Sequence, residues 1–207
     1  MTPSTNPLRP SSGLSFPVVG VGASAGGIPA LLKFFDALPS DPGMAFVVIL
    51  HLSPNHESNA DSILSRSTRM PVLQVSKTTL IEHNHVYVIP PTRALSMADG
   101  HLILGEAARV KGAPVVVDLF FRTLAQAHKE RSVAIVLSGT GADGSVGLAE
   151  VKEQGGVVLA QSPSDAQYDG MPYYLFFPVL RRRTIRRSLG LLSLRVRPSG
   201  WPHGLTG

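Results

Sequence analysis

The sequence predicts an α/β protein: one doubly wound domain with a mainly parallel sheet and a single antiparallel β-hairpin. Three observations predict it. Short runs rich in Val and Ile recur along the chain, helix-like stretches separate them, and the runs are near-continuously apolar rather than alternating. Strands of that composition are buried on both faces, which is the condition of a parallel sheet covered by helices on either side.

The strands expected on this basis are Pro17 to Ala23, Ala45 to Leu52, Val86 to Ile89, Ser132 to Leu137 and Gly156 to Ala160, with Pro71 to Val75 as a shorter candidate. Between them, Ile28 to Leu38 sets Leu31, Leu32, Phe35 and Leu38 on one helical stripe. Asp118 to Lys129 does the same with Leu119, Phe120, Leu124 and Ala127. Leu95 to Met97 and His101 to Leu104, joined through Asp99 and Gly100, carry the turn chemistry of a hairpin. Residues 1–16, rich in Ser, Thr, Pro and Gly, are expected to form a flexible tail ahead of a domain spanning 17–172. From Tyr173 to the end the chain turns aromatic, then arginine-dense, then Gly- and Pro-rich, and neither a capped helix nor a clear strand is expected there.

With 207 residues, 43% hydrophobic and 16% charged, the chain can bury one sizeable core. It has no cysteine, so thiolate metal sites, disulfides and cysteine nucleophiles are excluded, and Ser, His and carboxylates must carry any chemistry. No secretory signal and no membrane span are expected, and the cytoplasm is the expected location. The net charge of +5 has a local origin. Seven of the 19 basic residues are arginines beyond position 180, where no acid stands, leaving 12 basic against 14 acidic residues before it. No nucleic-acid partner is expected from a near-neutral domain with a basic end.

Directly after the first expected strand stands Gly20-Val21-Gly22-Ala23-Ser24-Ala25-Gly26-Gly27, which fits two patterns. From Gly20 it is G-x-G-x-x-A, the turn of a dinucleotide- or phosphate-binding module. That pattern expects an acid at the end of the second strand, where this chain has His51 and Leu52. From Gly22 it is G-x-S-x-G, a sharp strand-to-helix turn that exposes a serine hydroxyl. A histidine at the end of an adjacent strand, about 4.8 Å away, can then accept its proton. Ser24 as a helix cap remains a reading of the same residues.

A third segment, Ser138-Gly139-Thr140-Gly141-Ala142-Asp143-Gly144, follows another buried strand. Asp143 can orient the imidazole of His51, or it can cap the next helix. What favours the first role is placement, since all three segments follow strand carboxyl ends, where open α/β sheets bind ligands. Backbone N–H groups at Ala25 or Thr140 would stabilise an oxyanion, helped by the start of the helix after Gly27. The order Ser, His, Asp differs from the α/β-hydrolase order. His51, His56 and Glu57 match no usual metal-ligand spacing, so no metal is expected, and His56 reads as the start of a helix. His83 and His85 are expected to be one exposed and one half-buried, and His128 to lie on the solvated side of its helix.

The chain resembles the catalytic domain of the CheB family, the chemotaxis protein-glutamate methylesterases, over Val18 to about Pro172. The resemblance rests on Val-Gly-Ala-Ser-Ala-Gly-Gly at 21–27, Ile-Leu-His-Leu at 49–52, Val-Tyr-Val-Ile-Pro-Pro at 86–91 and Val-Asp-Leu-Phe-Phe at 117–121. Leu-Ser-Gly-Thr-Gly-Ala-Asp-Gly at 137–144, Ala-Gln at 160–161 and Tyr-Asp-Gly-Met-Pro at 168–172 complete it. It implies a Rossmann-like sheet with a hairpin, and a serine, histidine and aspartate at Ser24, His51 and Asp143. The implied activity is hydrolysis of glutamate 5-methyl esters on methyl-accepting chemotaxis receptors, with deamidation of receptor glutamines as a second reaction and no cofactor.

Three departures qualify what the resemblance implies. Members usually carry an N-terminal receiver domain, which sixteen residues cannot hold, so the domain is expected either to be constitutive or to be regulated otherwise. Thr140 stands where chemotaxis enzymes often have Met, a feature of versions fused to a receptor methyltransferase. After Pro172 the family continues with a short helix and an aliphatic strand, whereas this chain turns arginine-rich as after a reading-frame shift.

Overall fold

The computed structural model describes residues 12–50, 59–107, 109–110 and 113–176. In chain order the elements begin with β1 (Val18–Ala23), α1 (Gly27–Asp36), β2 (Ala45–Leu50), α2 (Ala60–Leu64), β3 (Val72–Gln74) and β4 (Thr79–Leu80). They continue with β5 (Val86–Val88), β6 (Arg93–Ala98), β7 (His101–Glu106), β8 (Arg109–Val110), β9 (Ala113–Pro114) and α3 (Val116–His128). The last four are β10 (Ser132–Val136), α4 (Ser145–Glu153), β11 (Val157–Ala160) and α5 (Gly170–Phe176).

Six strands form a parallel sheet in the order β11-β10-β1-β2-β5-β3. Every residue of β1 and β2 is buried, which is why their sequences show no polar alternation. The expected hairpin forms from β6 and β7, and β4 adds an antiparallel third strand to it. Its turn has φ of 46° at Asp99 and 74° at Gly100, the pair of positive angles that Asp-Gly tolerates best. The two-stranded β8–β9 ribbon was not anticipated.

The helices lie on both faces of the sheet. On β1, Gly22 faces Val117 of α3 and its neighbour Ala23 faces Gly27 of α1, and adjacent strand residues point to opposite sides. A Cβ on Gly20 would stand 2.9 Å from ring carbons of both Phe120 and Phe121, and one on Gly22 would stand 2.6 Å from Val117 Cγ1. The glycines of β1 therefore let α3 lie directly on the strand. Phe120 and Phe121 are fully buried there, each worth about 1.5–3 kcal/mol relative to exposure. On the other side, Phe34 and Phe35 of α1 meet Phe46 of β2 edge to face, with ring centroids 6.1 and 5.6 Å apart.

Both ends of the domain make contacts that the sequence did not show. Residues 12–16 are tied to α3 and the turn after it: the Ser12 amide donates to the Ala127 carbonyl at 2.9 Å, and Arg131 reaches the Leu14 carbonyl. Their anchor is His128, which is fully buried rather than solvated. It bonds through Nδ1 to Ser12 Oγ at 2.7 Å and through Nε2 to the Phe16 carbonyl at 2.8 Å. The carbonyl can only accept, so Nε2 carries the hydrogen and neutral Nδ1 takes the Ser12 hydroxyl proton. At the other end, α5 runs through Tyr173 to Phe176, where no helix was expected, and Met171 in its first turn seats its side chain in the core. Residues 1–11 and the arginine-rich stretch lie outside the described residues. His83 is exposed and His85 half-buried, as expected.

Candidate active site

The strand order reverses direction at β1. From β1 the chain crosses through α1 to β2 on one side, and from β10 it crosses through α4 to β11 on the other. The crevice outside the carboxyl ends of β1 and β10 is thus a topological switch point, the place where such sheets hold ligands. Ser24 is the first residue beyond β1 at that point, and it is nearly buried, at 9% exposure.

The turn that carries Ser24 is tight. Its carbonyl accepts the Gly27 amide at 2.9 Å, and its own amide donates to the Ser138 carbonyl at 3.0 Å. Gly26 has φ 68°, a left-handed conformation costly for a residue with a Cβ, and α1 starts at the next residue. The amides of Ala25 and Thr140 make no hydrogen bond among the described residues.

The β10–α4 loop packs against this turn. A Cβ on Gly139 would lie 3.0 Å from Ser24 Cβ and would collide with Met171 Sδ, so only glycine lets the two loops touch. The Gly139 amide donates to the Tyr168 carbonyl at 3.0 Å, and its carbonyl accepts the Met171 amide at 2.8 Å. Ser138 is fully buried and acts as a junction. Its hydroxyl donates to the Ala25 carbonyl at 2.9 Å and accepts the Tyr168 amide at 2.9 Å, while its own amide donates to Gln161 Oε1 at 2.8 Å.

Asp143 is held by both oxygens. Oδ2 accepts the Val117 amide at 3.1 Å and Oδ1 accepts the Asp118 amide at 3.0 Å. It thus caps a helix, but the helix is α3 and not the following α4. The N-cap of α3 is Val115, which offers no side-chain acceptor, and Asp143 supplies one. Two backbone N–H bonds at a helix N-terminus favour a charged carboxylate.

His51 lies outside the described residues, as do Leu52, His56 and Glu57. Its neighbour Leu50 pairs with Ala23 in register, so β2 ends beside the residue that precedes Ser24. The structure therefore brings the Ser24 turn, the 138–144 loop and the end of β2 to one rim. Sequence reasoning assigned no part to Ser138, Gln161 or Asp118, although Ser138 was visible as the polar residue opening a glycine-rich loop. Among the described residues no group of three or more His, Asp or Glu is placed to hold a metal ion. Among the described residues, burial displaces His128 and Tyr87 from their ordinary values. His128 is pushed down, and Tyr87 is pushed up although its oxygen accepts the Glu82 amide at 2.9 Å. Neither hydrogen-bonds to the Ser24 turn.

Residues 19–176 match the family model described as CheB methylesterase. The chain belongs to that family. The crystal structure of the Thermotoga maritima CheB methylesterase catalytic domain superposes with a TM-score of 0.72 at 25% identity, over 79% of this chain and 88% of that one. A protein-glutamate methylesterase/protein-glutamine glutaminase of Anaeromyxobacter dehalogenans is 33% identical over 75% of this chain and 46% of its own length. An uncharacterized 104.1 kDa protein of Rhodobacter capsulatus is 42% identical over 54% of this chain and 12% of its own length. The chain thus spans less than half the length of both these curated relatives. Among the described residues no helix is long and apolar enough to cross a membrane.

Proposed function

We propose that this domain is a serine hydrolase that removes methyl groups from glutamate 5-methyl esters of methyl-accepting chemotaxis receptors in the cytoplasm. Deamidation of receptor glutamines is the second reaction of the same chemistry. The observation that carries the reading is the contact of the Ser24 turn with the 138–144 loop at the switch point, with β2 ending alongside. The names of the curated relatives support the substrate class.

In this reading Ser24 Oγ attacks the ester carbonyl as His51 takes its proton, and Asp143 holds the imidazole in the productive tautomer. The Ala25 and Thr140 N–H groups receive the oxyanion, adding to the positive end of α1. His51 returns the proton to the departing methoxide, giving methanol and an acyl-enzyme. Water, deprotonated by His51, then releases the glutamate carboxylate. With glutamine the leaving group is ammonia.

The test is methanol release from a methylated receptor fragment by the wild-type chain and by Ser24→Ala. Turnover should fall by roughly 10⁴- to 10⁶-fold in the variant. Equal methanol release by the two proteins would overturn the assignment of the nucleophile.

A further inference from the structure

We infer that Asp118 is a positioning residue for this site, acting through Asp143, an inference that rests on the triad proposed above. Its basis is an exchange of caps between α3 and α4. Neither helix has an N-cap that can serve its own first turn: the position is Val115 in α3 and Gly144 in α4. Asp143, from the loop leading into α4, accepts the Val117 and Asp118 amides of α3. Asp118, in the first turn of α3, accepts the Gly147 amide of α4 at 2.8 Å. Each aspartate satisfies backbone donors that the other's helix leaves open.

The exchange is held at close range. A Cβ on Gly147 would stand 2.6 Å from Phe121 Cβ and 2.9 Å from the Asp118 carbonyl oxygen, so the first turns of the two helices are in direct contact. Asp143 precedes α4 by two residues, and Gly147 lies in the first turn of that helix. The Asp118–Gly147 bond therefore closes a short loop around Asp143, fixing both the backbone that carries its carboxylate and the α3 amides that receive it. Removing the Asp118 acceptor frees the α4 end of that loop, and the Asp143 carboxylate loses its fixed place against the α3 amides, the place from which it would orient His51 in the proposed triad.

The test compares Asp118→Ala, Asp118→Asn and Asp118→Glu with wild type and Asp143→Ala. Two readouts are taken: the pH titration of the His51 imidazole by NMR, and kcat for ester hydrolysis. The titration needs no substrate. Asp143→Ala should lower the His51 pKa by about 1 to 3, the effect of removing a nearby opposite charge. Asp118→Ala should lower it in the same direction by about 1, and reduce kcat about tenfold with KM little changed. Asp118→Asn keeps an acceptor for the Gly147 amide and should restore both. Asp118→Glu keeps the charge but displaces the acceptor, and should resemble Asp118→Ala, which keeps the inference testable if the alanine variant does not fold.

A stability loss in Asp118→Ala with an unchanged His51 titration would reduce Asp118 to a structural cap and overturn the inference. So would Asp118→Asn behaving like Asp118→Ala while Asp118→Glu behaves like wild type, since charge and not geometry would then be the cause. If Asp143→Ala itself leaves His51 unmoved, the triad falls and this role falls with it. If Asp143→Ala moves His51 and Asp118→Ala does not, this inference alone fails.

Discussion

Lowering the pH from 7.5 to 5.5 should destabilise the fold through His128, and replacing His128 with Gln should remove that part of the pH dependence. Burial is the largest cause of the depressed His128 pKa, with the nearby Arg131 charge adding to it. The Phe16 carbonyl and Glu130 act in the opposite direction. The Ser12 bond does not decide the matter, because a hydroxyl can turn to accept from a protonated Nδ1 as readily as it donates to a neutral one. Because the folded pKa lies below the unfolded reference of about 6.5, His128 contributes stability that is fully present above that pH. It is lost as pH falls toward the folded value, since the unfolded chain then binds the extra proton. One proton gives a slope of at most about 1.4 kcal/mol per pH unit, so the wild type should lose up to about 1.4 kcal/mol more than His128→Gln over the interval. Urea unfolding followed by far-UV circular dichroism at the two pH values measures the difference, and subtracting the variant's own change cancels the other titrating groups. If the wild type loses no more than the variant, His128 is not buried and neutral, and the docking of residues 12–16 on α3 is wrong as described.

Two further outcomes follow from the packing around the Ser24 turn. Ser138→Ala removes the acceptor of the Tyr168 amide and the donor to the Ala25 carbonyl, so it should cost about 1–3 kcal/mol in urea unfolding and lower kcat more than it raises KM. A variant with wild-type stability and turnover would show that the junction holds nothing in place. Gly22→Ala sets a methyl 2.6 Å from Val117 Cγ1 and should destabilise by about 1–3 kcal/mol as α3 is pushed off β1, which a thermal melt would register. An unchanged Tm would mean that α3 has room to move.

The sheet was legible in the sequence because β1, β2 and β10 are apolar on both faces, and that pattern alone identifies strands covered by helices. The turn at Ser24 was legible because small residues crowd a strand end where a sharp turn is required. Asp143 was legible as a candidate but not its bonding, since it caps α3 from 25 positions away and the sequence shows only the helix that follows it. His128 was misjudged for a related reason. It continues the stripe of Phe121 and Leu124 at helical spacing, and only contact with Ser12, 116 positions away, shows how its two nitrogens are satisfied inside. Asp118 looked like an ordinary acid in a first helical turn, because nothing local says that its acceptor serves another helix.

The central position of β1 has a consequence for synthesis on the ribosome. β2 follows β1 closely in the chain, but the strand on the other edge of β1 is β10, and the bond from Ser138 to Ala25 joins residues 113 positions apart. Contacts of such long range form late in folding. A nascent chain halted before β10 would display the Ser24 turn with one flank of its strand unpaired and without the Gly139 and Met171 contacts, so the crevice at that turn is complete only once the last third of the domain has been made.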